Sequence, residues 1–536
     1  IAYVPPQIQL SAVAAGNGGF VINGQCVGDQ SGYSVAFAGD VNGDGLADLI
    51  VGAYRSDPNG SDSGRSYVVF GQTGGTAIDL SAVATGSGGF AINGQCAGDY
   101  SGVSVAAAGD INGDGLADLL VGAYHSGPAA GAEAGRSYVV FGSTGTAPVE
   151  LSAVANGTGG FVINGQGASD RSGVAVAGAG DVNGDGLGDL IVGAHLSDPA
   201  AGTDAGRGYV IFGTTGTMAA VDLSAIASGQ GGFVINGQGA SDYSCRSVAA
   251  AGDVNGDGLS DLIVGAFGSD PAAGAHAGRS YVVFGQTGTM AIDLSAVANG
   301  TGGFVINGGG SYDLSGTSVA GAGDVNGDGL ADLIVGAYRS DPNGGDSGRS
   351  YVVFGQTGGT AINLTAIANG SGGFVINGEG AYDSSGFSVA AAGDVNGDGL
   401  ADLIVGANGS DPNGGNSGRS YVVFGQTGGT AIDLSAIANG SGGFAINGES
   451  AGDLSGRSVA AAGDVNGDGL SDLIVGADGS DPNGSYSGRS YVIFGNTLGV
   501  FAQTAVDQMG GAGNDYLMGT FGGETIVGGA GNDILV

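Results

Sequence analysis

The 536-residue chain has 50 acidic residues against 12 basic ones, all of them arginine, which gives a formal net charge of −38. This charge argues against nucleic acids and anionic membrane surfaces as partners, because both require clustered positive charge. No apolar run approaches the roughly 18 residues needed to cross a bilayer, so no membrane span is predicted. Hydrophobic residues make up 42% of the chain, which favours a packed core over the disorder that strong acidity otherwise suggests.

The chain starts with IAYVPPQ, which has neither an initiator methionine nor the regions of a signal peptide, so we expect a processed product or a fragment. The first predicted strand is GGFVING, residues 18–24. The acid-rich segment GDVNGDGLADLIVGA follows at residues 39–53 and recurs six more times, with small changes, at intervals of 70 to 72 residues. Such a period is typical of an array or a closed ring, and it overrides the three or four domains that the length suggests.

Each repeat contains four predicted strands, which in the second repeat are GGFAINGQ, SGVSVAAAGD, ADLLVGAY and GRSYVVFG. These are short runs rich in β-branched and aromatic residues, bounded by glycine, asparagine, aspartate and serine. Between repeats there is room for at most one short helical turn. Seven units of four strands predict an all-β chain that forms a seven-bladed β-propeller over residues 1–496. The last repeat ends at GRSYVIFG, residues 488–495, so the N-terminal strand is predicted to close blade seven.

The acid-rich segment has the spacing D-x-N-x-D-G-x-x-D, which is the beginning of a calcium loop. Side chains at positions 1, 3, 5 and 9 and the carbonyl at position 7 offer oxygen ligands, and glycine at position 6 permits the sharp turn. Ligation by oxygen alone selects a hard cation, and the flexible loop suits Ca²⁺ better than Mg²⁺. The predicted ligands are Asp40, Asn42, Asp44, Leu46, Asp48, Asp110, Asn112, Asp114, Leu116, Asp118, Asp181, Asn183, Asp185, Leu187, Asp189, Asp253, Asn255, Asp257, Leu259, Asp261, Asp324, Asn326, Asp328, Leu330, Asp332, Asp394, Asn396, Asp398, Leu400, Asp402, Asp464, Asn466, Asp468, Leu470 and Asp472.

A turn rich in aspartate and asparagine that needs no ion is the alternative interpretation of a single loop. Seven copies that keep every ligand position favour the metal, because carboxylates this close together repel one another without a cation. The loop lacks the bidentate glutamate at position 12, so we expect a dissociation constant on the order of 10⁻⁴ to 10⁻³ M.

The text SGYSVAFAGDVNGDGLADLIVGA, with the later GRSYVVFG, resembles the FG-GAP repeat of integrin α-subunit propellers and their bacterial relatives, over residues 9 to about 496. The resemblance implies a seven-bladed propeller whose calcium loops join the first and second strands of each blade. Two departures are visible: the Phe-Gly pair is Ser31-Gly32, and the Gly-Ala-Pro triplet becomes Gly-Ala-Tyr at residues 52–54. Calcium loops in all seven blades make the chain more similar to the bacterial proteins than to an animal integrin, so pairing with a β-subunit is not implied.

Loops on the face opposite the calcium loops are where the repeats differ most. Their residues are Tyr54-Arg55, Tyr124-His125, His195-Leu196, Phe267-Gly268, Tyr338-Arg339, Asn408-Gly409 and Asp478-Gly479, with Tyr33, Val103, Val174, Arg246, Thr317, Phe387 and Arg457. Aromatic residues and arginine on one rim suit recognition of a glycan or a protein. Neutral drift in exposed loops is the alternative.

A further arginine recurs in every repeat, within GRSY or GRGY, and is predicted to fix neighbouring blades or loops rather than to contact a ligand. Its seven copies are Arg65, Arg136, Arg207, Arg279, Arg349, Arg419 and Arg489.

After a predicted linker at residues 497–509, residues 510–536 divide into the nonapeptides GGAGNDYLM, GTFGGETIV and GGAGNDILV. The first and third resemble the nonapeptide of repeats-in-toxin proteins, whose parallel β-roll binds calcium between its turns. Asp515 and Asp533 are the ligands predicted here, and chance similarity of a glycine-rich tail is the alternative. Proteins with this motif are exported from bacteria, so the resemblance implies a secreted protein that lies outside the cell or on its surface.

The near-identical blades show no unique catalytic constellation. His125, His195 and His276 occupy non-equivalent positions, without the spacing of a nucleophile or zinc site. We therefore predict a non-enzyme: a secreted calcium-binding propeller serving cell-surface adhesion or an extracellular matrix or filament scaffold, whose partner is a surface glycan, a protein or copies of itself in a polymer. The alternative is the non-catalytic propeller portion of a larger secreted hydrolase or glycan-binding protein.

Overall fold

Short apolar runs separated by glycine-rich turns set the local structure of every repeat. The computed structural model describes residues 7–215 and 220–496, and further on only the backbone of four strands: Val506–Met509, Tyr516–Leu517, Thr525–Val527 and Ile534–Leu535. In the first two ranges the chain forms seven sheets of five strands each, joined by helices of four or five residues. The predicted all-β, seven-bladed propeller is confirmed.

Strands are named inner, second, third, outer and fifth by their order across a blade, and blades are numbered by their inner strands along the chain. The inner strands are Ser34–Gly39, Ser104–Gly109, Ala175–Gly180, Ser247–Gly252, Ser318–Gly323, Ser388–Gly393 and Ser458–Gly463. The second strands are Asp48–Ala53, Asp118–Ala123, Asp189–Ala194, Asp261–Ala266, Asp332–Ala337, Asp402–Ala407 and Asp472–Ala477. The third strands are Arg65–Val69, Arg136–Val140, Arg207–Ile211, Arg279–Val283, Arg349–Val353, Arg419–Val423 and Arg489–Ile493.

From blade one to blade seven, the outer strands are Gly89–Asn93, Gly160–Asn164, Gly232–Asn236, Gly303–Asn307, Gly373–Asn377, Gly443–Asn447 and Gly19–Asn23. In the same order, the fifth strands are Val149–Glu150, Val221–Asp222, Ile292–Asp293, Ile362–Asn363, Ile432–Asp433, Gln7–Gln9 and Ile78–Asp79. The helices are Leu10–Ala14, Leu80–Val83, Leu151–Val154, Leu223–Ala227, Leu294–Val297, Leu364–Ile367 and Leu434–Ala438.

The inner strands are rich in alanine and glycine, and each lies against the inner strands of both neighbouring blades. A serine at the start of the strand joins them, as where Val105 N donates to Ser34 Oγ at 3.2 Å. This bond occurs at six of the seven junctions and is absent where Ala175 replaces the serine. The second strands are buried along their whole length, including the aspartate with which each begins.

The hydrophobic core lies between blades rather than within one. One cluster joins Ile50 and Val68 of blade one with Val121 and Tyr138 of blade two, all fully buried. Six equivalent clusters occupy the other junctions. A blade taken alone would expose such a face, so the blades are stable only as a ring.

The N-terminal strand closes the ring as predicted. Gly19–Asn23 pairs antiparallel with the third strand of blade seven, from Gly19 opposite Ile493 to Asn23 opposite Arg489. The segment just before it makes a second closure that the sequence did not predict, because Gln7–Gln9 pairs parallel with the outer strand of blade six. The first 23 residues thus complete both blade six and blade seven.

The blades differ from the predicted four strands by the short fifth strand, which comes from the linker just before the outer strand of the next blade. Ile78–Asp79, for example, pairs parallel with Gly19–Asn23. The helix that follows each fifth strand is the single turn predicted for the linker, and it buries two apolar residues, such as Leu80 and Val83. A strand of two residues is too short to show the alternation of apolar and polar residues from which strands are predicted, so the sequence did not predict this element.

In the C-terminal region Val506–Met509 pairs parallel with Thr525–Val527, and Tyr516–Leu517 with Ile534–Leu535. The first of these strands falls within the predicted linker. Asp515 and Asp533 lie outside the described residues. No helix in the described part of the chain is long and apolar enough to cross a membrane.

Candidate functional site

The acidic loops join the inner and second strands at one face of the ring. In blade one a β-bulge at Gly39 ends the inner strand, opposite Asp48, and residues 40–47 form the loop. Gly45, at position 6, has a φ of +89°, which side-chain-bearing residues rarely adopt. The predicted location and turn of the loop are therefore found, and the other six loops repeat them.

Positions 1, 3 and 5 place their oxygens inside the turn, where each accepts hydrogen bonds from main-chain N–H groups. Asp40 Oδ1 accepts from Gly43 N at 2.6 Å and its Oδ2 from Gly45 N at 2.9 Å. Asn42 Oδ1 accepts from the N–H of Asp44 at 2.8 Å. The same bonds recur in all seven loops.

The aspartate at position 9 is held differently, because it is fully buried at the start of the second strand. Asp48 Oδ2 accepts from Val41 N at 2.8 Å, and Oδ1 accepts from Gly71 N, beyond the third strand, at 2.9 Å. Burial, together with the charges of Asp44 and Asp40, raises the pKa of Asp48 to about 6, although the two hydrogen bonds lower it. The equivalent aspartates have pKa values of about 6 or about 7 for the same reasons.

Neighbouring loops contact one another around the ring. The N–H at position 8 donates to the carbonyl of the first aspartate of the preceding loop, as from Ala117 to Asp40 at 3.0 Å, and four other junctions repeat the bond. The leucine at position 7 packs against the position-4 glycine of the same preceding loop, as Leu116 does on Gly43, where an added Cβ would meet it at 3.0 Å. Leucine therefore has a packing role beside its predicted carbonyl role.

The donor chemistry of the loops fits a hard cation, since every candidate ligand is an oxygen. None of the ion pairs among the described residues involves a loop aspartate, so no arginine neutralises them. No three His, Cys, Asp or Glu side chains in the described ranges are grouped closely enough to hold a metal ion by themselves. A site here would therefore depend on the asparagine and main-chain oxygens as well as on the carboxylates.

On the opposite face, residues from five blades converge on a central cavity of about 350 Å³. We call this cavity and the predicted rim residues around it the funnel. The lining of the cavity includes Tyr33, Arg246, Phe267, Tyr338, Phe387 and Arg457, all of them predicted rim residues. Three others, Val174, Asn408 and Asp478, are buried beneath the rim rather than exposed on it.

Aromatic rings continue from the funnel across neighbouring blades. The Tyr33 and Tyr54 ring centroids are 4.5 Å apart, and Tyr54 lies 5.9 Å from Tyr100, which lies 5.9 Å from Tyr124. Tyr100 was not predicted. It occupies the position before the Ser-Gly pair, where the repeats also vary and where the backbone is left-handed, with a φ of +53° at Tyr100. Comparison of the repeats at that position would have found it.

The five arginines that do not begin third strands all lie at this face: Arg55, Arg171, Arg246, Arg339 and Arg457. The Arg457 guanidinium is 4.7 Å from the ring centroid of Tyr33 and 5.3 Å from that of Phe387, and its Nε is 3.5 Å from Asp478 Oδ2. Burial, with Arg246 and Arg171, lowers the pKa of His195 to about 3. The funnel is thus a basic, aromatic region on a strongly acidic protein.

In six of the seven blades the arginine that begins the third strand fixes neighbouring blades, as predicted. Arg65 Nε donates to Asn93 Oδ1 of its own blade at 2.7 Å, and Nη1 donates to Gln25 Oε1 of the preceding blade at 2.6 Å. The Tyr67 hydroxyl donates to the same oxygen at 2.6 Å. This glutamine recurs as Gln or Glu in most repeats, a signal that the sequence contained and that went unused.

The chain matches the FG-GAP repeat at residues 31–69, 101–140, 172–211, 246–283, 315–353, 385–423 and 455–493. It is 33% identical to integrin alpha-PS2 of Drosophila melanogaster over 184 residues, which are 33% of this chain and 12% of that protein. It is 30% identical to integrin alpha pat-2 of Caenorhabditis briggsae over 251 residues, 44% of this chain and 18% of that protein. A phosphatidylinositol-glycan-specific phospholipase D of Bos taurus is 35% identical over 161 residues, 29% of this chain and 17% of that protein. The matches thus span less than a fifth of each relative.

Proposed function

Because the chain belongs to the FG-GAP repeat family, we propose that it is a secreted, calcium-binding propeller that acts in adhesion at a cell surface or in an extracellular scaffold. Its integrin α relatives support an extracellular role without catalysis. The phospholipase D relative favours one second candidate, the non-catalytic propeller portion of a larger secreted hydrolase.

In this proposal each acidic loop holds one Ca²⁺, through the oxygens at positions 1, 3, 5, 7 and 9. Support comes from seven oxygen-only loops without an arginine partner and from the raised pKa of their buried aspartates, such as Asp48. A bound dication would favour the charged form of these carboxylates. Because the loops contact one another, ions bound there would also stabilise the junctions between blades.

Residues 510–536 are proposed as part of a repeats-in-toxin type calcium roll in a bacterial exported protein. The parallel pairing of Tyr516–Leu517 with Ile534–Leu535 supports this proposal. The paired residues are two nonapeptides apart in the chain, and a β-roll stacks its turns in parallel.

The funnel is the proposed adhesion surface, and its composition carries the proposal. Aromatic rings offer flat apolar area, while arginine donates to carboxylate or hydroxyl oxygens, the combination found at binding hot spots. The funnel is also where otherwise near-identical blades differ, so it gives the ring one distinctive surface that a glycan or protein could recognise.

Alanine at Tyr54, Arg55, Tyr338 and Arg339 together should reduce binding to the target surface at least tenfold. These side chains form two pairs of an exposed arginine and a half-buried tyrosine, with 5.5 Å from guanidinium to ring centroid. Binding would be measured on a glycan array and on immobilised extracellular proteins. Alanine at Asp57 and Asp411, which are exposed outside the funnel, is the matched control. Unchanged binding by the quadruple variant would refute the funnel as the adhesion surface.

A further inference from the structure

Blade five differs from the other six blades in one contact, the one that the arginine of the third strand makes with the preceding blade. In six blades a Gln or Glu oxygen accepts from both the arginine and the tyrosine two residues later. At the equivalent position blade five has Gly309, next to Arg349 and Tyr351. The acceptor side chain is thus missing while both donors are retained.

The missing side chain leaves a cavity of about 230 Å³ between blades four and five, lined by Gly309, Asp313, Arg349 and Tyr351 among others. A Cβ added at Gly309 would lie 3.2 Å from the Tyr351 hydroxyl, so the cavity begins where the glutamine of other blades does. Its rim is open to solvent, because Asp341 is exposed. A second cavity of about 460 Å³ shares Gly309 with it, which leaves room for a ligand larger than the missing side chain.

In the described ring, Arg349 and Tyr351 have no glutamine or glutamate to which they can donate, unlike the same pair in the other blades. Among the described residues Arg349 makes its hydrogen bond through Nε, to Asn377 Oδ1 at 3.0 Å. The polar groups near the buried Tyr351 hydroxyl are Arg349, Asp313 and Ser340. The terminal guanidinium nitrogens and the hydroxyl can therefore both donate to a group in the cavity.

In two other blades the equivalent arginine and tyrosine donate to a carboxylate. In blade six Glu379 Oε2 accepts from Arg419 Nη1 at 2.5 Å and from the Tyr421 hydroxyl at 2.6 Å. In blade seven Glu449 makes the same pair of bonds. The protein itself thus places a carboxylate between this arginine and this tyrosine twice.

The acidic surroundings do not exclude an anion. Asp313 and Asp341 line the cavity, but their counterparts Asp383 and Asp411 accompany Glu379 in blade six. Blade four's fifth strand moreover ends at Asn363, beside the second cavity, where five of the other six fifth strands end in an acid. The asparagine thus removes a carboxylate that most repeats supply next to this site.

We propose that the cavity between blades four and five binds the carboxylate group of a small organic acid, held by Arg349 and Tyr351 in the place that Glu379 occupies in blade six. Charge-assisted bonds from a guanidinium to a carboxylate are among the stronger ones in proteins. The occupant is a small molecule and not a segment of another protein, since the cavity between the two blades has a volume of only about 230 Å³.

Acetate is the probe that tests this site on the full chain, with calcium present and ionic strength held constant with sodium chloride. Saturation transfer from the protein to the acetate methyl group should be seen for the wild type and lost in Gly309→Glu and Gly309→Gln, which restore the resident acceptor. Both variants should also have a higher Tm than the wild type in the absence of acetate.

The reverse variant, Glu379→Gly, opens the same space beside Arg419 and Tyr421, and it should at least double the saturation transfer. Acetamide, the neutral analogue, should give less transfer than acetate in every protein. Equal transfer to acetate in the wild type and in Gly309→Glu, or none in either, would overturn the proposal.

Discussion

Removal of calcium by excess chelator should lower the free energy of unfolding by about 10 kcal/mol. At a tenfold excess over its dissociation constant, each ion stabilises the folded state by about 1.4 kcal/mol, and seven independent sites add. With an unfolding entropy of about 2.1 cal/mol/K per residue, this corresponds to a fall in Tm of about 10 °C. Differential scanning calorimetry with and without chelator measures it.

Variants locate this effect in the loops. Alanine at Asp40 and Asp44 should lower the Tm in calcium but leave the chelator-treated protein much less affected, because the charge repulsion that the ion offsets is also removed. Alanine at Asp57, which is exposed outside the loops, is the control. A Tm that is unaltered by chelator would favour the turn that needs no ion, for which the main-chain bonds of Asp40 suffice.

Deletion of residues 1–25 should abolish cooperative unfolding of the ring. The deletion removes the outer strand of blade seven, the fifth strand of blade six and the helix between them. It also removes Phe20 and Ile22, both fully buried, and the loss of such side chains destabilises by about 2–5 kcal/mol each. Calorimetry should show a broad, low-enthalpy transition in place of a single peak.

Deletion of residues 1–6 alone is the matched control, since it leaves every described strand in place. It should melt like the full chain. If the protein without residues 1–25 also melts unchanged, the ring is not closed by the pairing of Gly19–Asn23 in blade seven and of Gln7–Gln9 in blade six.

The sequence predicted the features that repeat and missed those set by tertiary contact. The period of 70 to 72 residues predicted seven blades. The last repeat ends without a copy of the GGFVING strand, which predicted closure of the ring by Gly19–Asn23. The loop spacing likewise located Asp40 to Asp48 correctly between the inner and second strands. Pairing of two-residue strands such as Ile78–Asp79 depends on a neighbouring blade, which no local pattern shows.

At the candidate sites too, the sequence predicted the residues but not the tertiary contacts that they make. Spacing nominated Asp48 as a ligand but could not show that it is fully buried and anchored to Gly71, 23 residues away. Variation among repeats found Tyr33 and Arg457 but not their contact, because their positions in blades one and seven are far apart in the chain. The missing acceptor at Gly309 is visible only once the structure shows what its counterparts bind.

The number of calcium ions bound by the full chain tests the central claim most directly. Equilibrium dialysis followed by elemental analysis should give at least seven ions per chain at saturating calcium. Alanine at the first and second aspartates of a loop, as at Asp40 and Asp44, should remove one ion for each loop changed. Fewer than seven ions in the wild type, or a number that loop variants leave unchanged, would contradict the assignment of the acidic loops as calcium sites.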